Sequence, residues 1–247
     1  LKVTEYVMLL APFAVFAALA GVIAVKGLGV IVDYGKFVGG FYLSLLILWA
    51  FLIFAGRIFI GKRTGELVRE IREPVAIAFS TSSSEAAYPK LLEKLERFGV
   101  ANRIASFVLP LGYSFNLDGS MMYCAFATMF IAQAYGIEMT AVEQITMLLF
   151  LMITSKGMAA VPRASLVVIA ATLTAFGIPE EGLFLLLAVD QFLDMGRSGT
   201  NIVGNSIATV VVAKWEGLLR DDTALTPPLA ERGLDAQSGV VNASRRG

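Results

Sequence analysis

The run Asp190-Gln-Phe-Leu-Asp194-Met-Gly-Arg197-Ser-Gly-Thr-Asn201-Ile-Val-Gly-Asn205 decides how the rest of the chain is read. It lies within residues 183–212, a stretch that is otherwise apolar and long enough to cross a bilayer as a helix. At about 100° per residue, Asp190, Asp194, Arg197, Asn201 and Asn205 fall within a stripe of roughly 80°. One face of an apolar helix is therefore polar. Ionisable groups at membrane depth are costly and line a protein interior or a substrate path. A structural ion pair between Asp194 and Arg197, spaced i, i+3, accounts for two of the five residues. It does not require the neutral amides of Asn201 and Asn205.

Outward from that helix, the composition points to the same solvent. Of 247 residues 57% are hydrophobic and 16% charged, with a mean hydropathy of +0.73, well above soluble domains. Basic and acidic residues balance at 20 each, so no polyanionic partner such as nucleic acid is implied. The single cysteine, Cys124, excludes an intramolecular disulfide, and the absence of histidine removes the usual zinc and copper ligands. The chain begins at Leu1, and its opening run resembles neither a signal peptide nor a charged targeting segment. Further helices are expected upstream.

Residues 6–25, 37–60, 104–135 and 183–212 supply apolar runs of spanning length. Between them, 74–99 and 140–177 have apolar arms too short to span, joined by small polar tips. Irregular backbone at membrane depth survives only when buried in protein or lining a cavity, which suggests re-entrant hairpins. Arg57, Lys62, Arg63, Arg69 and Arg72 precede the first hairpin, and Lys90, Lys94, Arg97 and Arg103 follow its tip, so it enters from the cytoplasm. Glu138, Glu143, Glu180 and Glu181 flank the second, which enters from outside. Such opposed hairpins are what inverted repeats produce in secondary transporters, with substrate near the midplane. The expected fold is an all-α membrane protein with spanning helices, two re-entrant hairpins of opposite orientation and an interrupted helix. Residues 218–247 are polar and aperiodic, and are expected to form a disordered cytoplasmic tail.

The interruption is expected at Pro110-Leu-Gly-Tyr-Ser-Phe-Asn-Leu-Asp-Gly-Ser120. Pro110 removes a backbone donor, and Gly112 and Gly119 tolerate unwound geometry. The exposed carbonyls, with Asn116 and Asp118, offer the hard oxygen ligands that a sodium ion takes. At the first tip, Ser82-Ser83-Ser84 can donate hydrogen bonds to a carboxylate beside a helix amino terminus. The second tip, Ser155-Lys-Gly-Met-Ala-Ala-Val-Pro162, is small enough to close over a site.

In order along the chain, the triple serine, Asn116-Leu-Asp-Gly119, the tip from Ser155 to Pro162, and Asp194-Met-Gly-Arg197 followed by Asn201 resemble the glutamate transporter family. This is the dicarboxylate/amino acid:cation symporter family, and the likeness extends over residues 1–219 as its carboxy-terminal portion. The resemblance implies a homotrimer in the cell's inner (plasma) membrane, multi-pass, in contact with lipid. Each protomer would move a transport domain, residues 37–217, past a fixed scaffold that includes residues 1–36. It implies symport of a small anionic carboxylate, glutamate, aspartate or a four-carbon dicarboxylate, with sodium ions or protons as coupling ions and no other cofactor. By the same resemblance Arg197 would bind the substrate's side-chain carboxylate and Asp194 its amino group. Ser82, Ser83, Ser84, Ser120, Ser198, Asn201 and the Val161 backbone would complete the pocket. Cation sites would fall on Gly112, Ser114, Asn116, Asp118, Asn201 and Asn205, with carbonyls from Leu117, Ser155, Lys156 and Met158. Three positions depart from the family: Asn205 stands where sodium-coupled archaeal relatives carry aspartate, Thr81 where they carry arginine, and Arg163 where glycine is common. Arg163 adding an anion contact and Arg163 facing solvent both stand open.

Two other functions are weighed against the same residues. Asp118 and Asp190 could be imagined as an intramembrane aspartyl protease pair, but the Tyr-Asp and Gly-x-Gly-Asp patterns are absent and no histidine serves as a base, so no enzyme is expected. A passive anion channel could use the same polar stripe without cation coupling. Asp194, able to pair with an ammonium group, favours an acidic amino acid over a plain dicarboxylate.

Overall fold

The computed structural model describes residues 27–156, 158 and 163–220, with 13, 16, 17, 20, 21, 23 and 24. The helix expected over 6–25 lies mostly outside the described residues, and 221–247 wholly so. Among the described residues every regular element is helical, apart from an isolated bridge between Val100 and Leu219.

Helix α1, Gly29–Ile60, contains no proline to interrupt it. A 3-10 turn, Gly61–Arg63, leads into α2, Thr64–Glu70. The stretch Ile31–Glu70 is, among the described residues, the one helix long and apolar enough to cross a membrane. Its two faces differ sharply. Tyr34, Phe37, Phe41 and Leu45, at helical spacing, are buried, whereas Leu43, Leu46, Ile47, Phe51, Phe54 and Ile58 are exposed. An apolar strip of that size suits hydrocarbon rather than water. The buried stripe packs on the helix Asp118–Ala134 through Phe37 stacked on Phe130 with centroids 4.0 Å apart, and Phe41 edge-on to Tyr123 at 6.0 Å.

Two helix–turn–helix pairs occupy the segments with short apolar arms. In the first, α3, Arg72–Thr81, turns at Ser82 (φ 52°) and returns through a short 3-10 turn as α4, Tyr88–Phe98. Lys90 and Lys94 pair with Glu73 at its open end, each at 3.3 Å. In the second, α7, Ala141–Thr154, opens on a capping box between Thr140 and Glu143. Its partner is α8, Ala164–Ala175.

Two helices are broken. α5, Asn102–Phe115, and α6, Asp118–Ala134, are separated by the unwound pair Asn116-Leu117. The break falls within the expected stretch 110–120, although Pro110 itself lies inside α5. A proline forfeits only one intrahelical bond, and the buried Leu109 and Tyr113 on either side of it keep the helix packed for another turn. The second break corrects the reading of 183–212 as one helix: α9, Leu183–Leu187, stops at Ala188-Val189 before α10, Asp190–Trp215. The Val189 N–H turns to Leu186 O at 2.9 Å, so Leu185 O is left to accept the Tyr34 hydroxyl at 2.8 Å.

α10 is the core of the structure and packs against α1, α3, α5 and α6. From α1, Tyr42 donates to Phe192 O at 2.7 Å and the Trp49 indole to Thr200 Oγ1 at 2.8 Å. Where α10 crosses the α5/α6 break, glycines set the approach. A Cβ on Gly119 would strike Arg197 O and lie 2.9 Å from Thr200 Cβ. Since backbone cannot swing aside as a side chain can, Gly119→Ala is expected to lower stability by about 1–3 kcal/mol or more. Thermal unfolding of the detergent-solubilised full-length protein measures it, and an unchanged midpoint would remove this contact from the account.

After α10, Leu218–Arg220, at the start of the expected tail, fold back on the end of α4. Ala101 N–H donates to Leu218 O at 3.2 Å and Arg220 N–H to Gly99 O at 2.9 Å. Arg63 joins them, donating to Arg220 O at 2.8 Å and Phe98 O at 2.6 Å.

Candidate functional site

The polar stripe of α10 points into the break between α5 and α6. A helix that restarts at Asp118 leaves its first N–H groups without intrahelical partners. Asn201 supplies one from the neighbouring helix: its Oδ1 accepts from Gly119 N at 2.9 Å and Ser120 N at 3.3 Å. Its Nδ2 donates to Ser120 Oγ at 3.1 Å. The same hydroxyl accepts from Arg197 Nη1 at 3.1 Å. Arg197 is 0% exposed, the largest fully buried side chain of the described residues, and its Nε lies 2.6 Å from Asp194 Oδ1. A buried guanidinium needs such a counter-charge, since desolvation otherwise costs more than packing returns.

One turn along α10, Asn205 Oδ1 accepts from Asn116 Nδ2 at 3.2 Å. The glycines are the reason these groups fit: a Cβ on Gly112 would collide with Asn205 Oδ1, and one on Gly204 with Asp118 Oδ2. Asp118 Oδ2 is buried with no hydrogen-bond partner, as is Asn205 Nδ2. An orphaned carboxylate oxygen beside two amides and the carbonyl end of α5 is a donor set of the kind a sodium ion or a proton would complete. Asp118, Asn116 and Asn205 are the residues that would hold it.

The tips supply the remaining expected residues. Ser84 Oγ donates to Ser198 O at 3.1 Å, bringing the first tip onto α10 beside Arg197. Ser198 Oγ is itself buried without a hydrogen-bond partner. Ser82 Oγ accepts from Gln191 Nε2 at 2.7 Å, and Ser83 Oγ accepts from Ala86 N at 3.4 Å within its own turn. On the second tip, Ser155 rests on Met121, and Lys156 Nζ donates to Phe115 O at 2.8 Å, a cation at the carbonyl end of α5. Leu117 is one of the two unwound residues. Ser114 Oγ donates to Pro110 O at 3.5 Å, and Met158 N–H donates to Ser155 O at 3.2 Å. Both line a cavity of about 470 Å³ with Tyr88 and Tyr113. Val161 lies outside the described residues.

Three contributors have no signal in the sequence pattern. Tyr123 donates to Asp190 Oδ1 at 2.5 Å, and Trp49 and Gln191 anchor α10 as described. Arg163, which departs from a common glycine in the sequence, joins them. Its N–H donates to Asp194 Oδ2 at 2.8 Å and its Nε lies 3.4 Å from Asp190 Oδ2. This makes it a residue of the site rather than of the solvent-facing tip.

An exposed apolar strip on a helix of spanning length, with buried charges gathered where other helices are broken, is the pattern of a membrane protein. The chain belongs to the sodium:dicarboxylate symporter family, which matches residues 1–215. It is 44% identical over 228 residues to the proton/sodium-glutamate symport protein of Bacillus subtilis strain 168, covering 91% of this chain and 52% of that one. It is 44% identical to the proton/glutamate-aspartate symporter of Escherichia coli strain K12 over 87% of this chain and 49% of the other. To C4-dicarboxylate transport protein 2 of Polaromonas naphthalenivorans it is 44% identical over 85% of this chain and 47% of that protein. The chain thus spans about half the length of the curated relatives it matches.

Proposed function

We propose that this chain forms the substrate- and cation-binding part of a secondary active transporter. The carrier takes small anionic carboxylates, glutamate, aspartate or four-carbon dicarboxylates, into the cell together with sodium ions, protons or both. The observation that carries this reading is the fully buried Arg197, held between Asp194 and Ser120 about two helical turns from the orphaned Asp118 carboxylate and the Asn116–Asn205 pair. An anion site and a hard-cation site on the two sides of one helix break are what cation-coupled carboxylate symport needs. The names borne by the relatives, for glutamate, glutamate-aspartate and C4-dicarboxylate carriers with protons or sodium, support the same substrates and coupling ions.

In this reading the two helix–turn–helix pairs enter the bilayer from opposite faces, the first from the cytoplasm and the second from outside. Residues 37–217 act as a transport domain moving against a scaffold that includes residues 1–36, in a homotrimer in the inner membrane, and the segment from 218 is cytoplasmic. Arg197 offers the substrate carboxylate a planar pair of donors. Asp118, Asn116 and Asn205 hold the coupling ion.

The test is uptake of labelled aspartate and labelled succinate by sealed vesicles containing the full-length protein under imposed sodium and proton gradients. Accumulation above equilibrium that collapses when ionophores dissipate the gradients is expected. Flux that merely equilibrates, whatever the cation gradient, would replace the symporter with a passive anion channel.

A further inference from the structure

Arg163 is the second arginine of the site, and its backbone conformation is unusual. It stands at the amino end of α8 in the left-handed region, φ 65° and ψ 4°, which a residue with a Cβ adopts at a cost. Two contacts hold it there. Its main-chain N–H donates to Asp194 Oδ2 at 2.8 Å, and its guanidinium Nε lies 3.4 Å from Asp190 Oδ2. The Asp190 side chain is 0% exposed and that of Arg163 41% exposed, so the arginine bridges from solvent to a buried carboxylate.

Asp190, Asp194, Arg163 and Arg197 thus form a group whose formal charges cancel. Both oxygens of Asp194 are engaged by the chain's own donors, Oδ1 by Arg197 Nε and Oδ2 by Arg163 N. Asp190 Oδ1 is engaged by Tyr123, and Oδ2, without a hydrogen bond, is ion-paired with Arg163. No uncompensated carboxylate remains in this group for an incoming ammonium. The expectation of an acidic amino acid rested on an Asp194 open to one.

We propose that Arg163 is a specificity-determining residue: by engaging Asp194 through its main chain and Asp190 through its side chain, it disfavours ammonium-bearing carboxylates relative to amine-free dicarboxylates. An ammonium can reach Asp194 only by displacing the Arg163 N–H, and it approaches against the repulsion of the guanidinium at Asp190. A dicarboxylate pays neither penalty and gains a second cationic neighbour. The proposal rests on the reading of this site as that of a carboxylate carrier.

The experiment measures, in vesicles bearing the full-length protein, the concentrations of unlabelled aspartate and succinate that halve the uptake of one labelled carboxylate. Their ratio does not depend on how much protein is folded. Arg163→Gly keeps the N–H and suits the left-handed backbone while removing only the charge, and the ratio is expected to shift toward aspartate by about tenfold. Arg163→Lys restores the charge and is expected to stay near the native ratio. Asp190→Asn leaves the guanidinium uncompensated and is expected to shift the ratio toward succinate. An unchanged ratio in both Arg163→Gly and Asp190→Asn, with uptake intact, overturns the role of Arg163 alone. Native vesicles that accumulate neither compound overturn the carrier reading beneath it.

Discussion

Arg197→Ala is expected to lower the affinity for carboxylate substrates by about two to three orders of magnitude, the loss that follows removal of one partner from a desolvated charge pair. From the sequence alone, the variant is expected to lose acidic substrates while leaving folding intact. The buried geometry says otherwise. Arg197 is 0% exposed and holds Asp194 Oδ1 at 2.6 Å, so its truncation strands a carboxylate whose other oxygen has only the Arg163 N–H. Breaking a buried pair in this way destabilises by about 3–5 kcal/mol. Binding and stability are therefore to be measured together, by titration calorimetry and thermal unfolding of the full-length protein. Arg197→Lys provides the control: the charge stays, the planar fork is lost, and the protein should fold while binding weakly. Native affinity in the lysine variant would mean that the fork is not what holds the substrate.

The second large effect is expected at Asn205. Its Oδ1 faces Asn116 and lies where a side chain on Gly112 would stand, and an amide there gives a cation a dipole rather than a charge. Asn205→Asp adds a formal charge in a low-dielectric position, so the sodium concentration for half-maximal uptake should fall by about tenfold or more. Sodium should also raise the melting temperature of the variant more than that of the native protein, since a ligand bound only to the folded state stabilises it in proportion to its occupancy. The native protein should respond to a proton gradient imposed without sodium. If the native chain depends on sodium as steeply as its aspartate variant and ignores the proton gradient, the neutral residue at 205 does not set the coupling.

What could be read from the sequence follows a physical division. The α10 stripe was legible because helical period alone brings Asp194, Arg197, Asn201 and Asn205 to one face, whatever they touch. The interruption in α5/α6 was legible too, to within the stretch 110–120 that contains the unwound pair. Pro110 signals a lost donor, while the break occurs where Asn201 can take over the N–H groups of Gly119 and Ser120, a fact of tertiary contact. The second break, at Ala188-Val189, carries neither glycine nor proline and is stabilised by Tyr34 and Tyr42 from 150 or 151 residues away. Tyr123, Trp49 and Gln191 were missed for the same reason: their partners are 67, 151 and 109 residues distant along the chain. Arg163 stood out only as a departure from a familiar glycine. Its left-handed backbone accounts for why glycine suits that position, and its contacts account for what an arginine adds.

The unwound pair Asn116-Leu117 carries a thermodynamic consequence of its own. On one side stands the carbonyl end of α5, already held by the Lys156 ammonium, and on the other the donors of α6, held by an amide that shares Ser120 with Arg197. Any displacement of α5 relative to α6 is therefore felt by whatever occupies either side. Two equilibria sharing one deformable joint cannot be independent, and their interaction free energy is the same read in either direction. Whatever factor a cation at Asp118 adds to the affinity for a carboxylate at Arg197, the carboxylate must return to the cation.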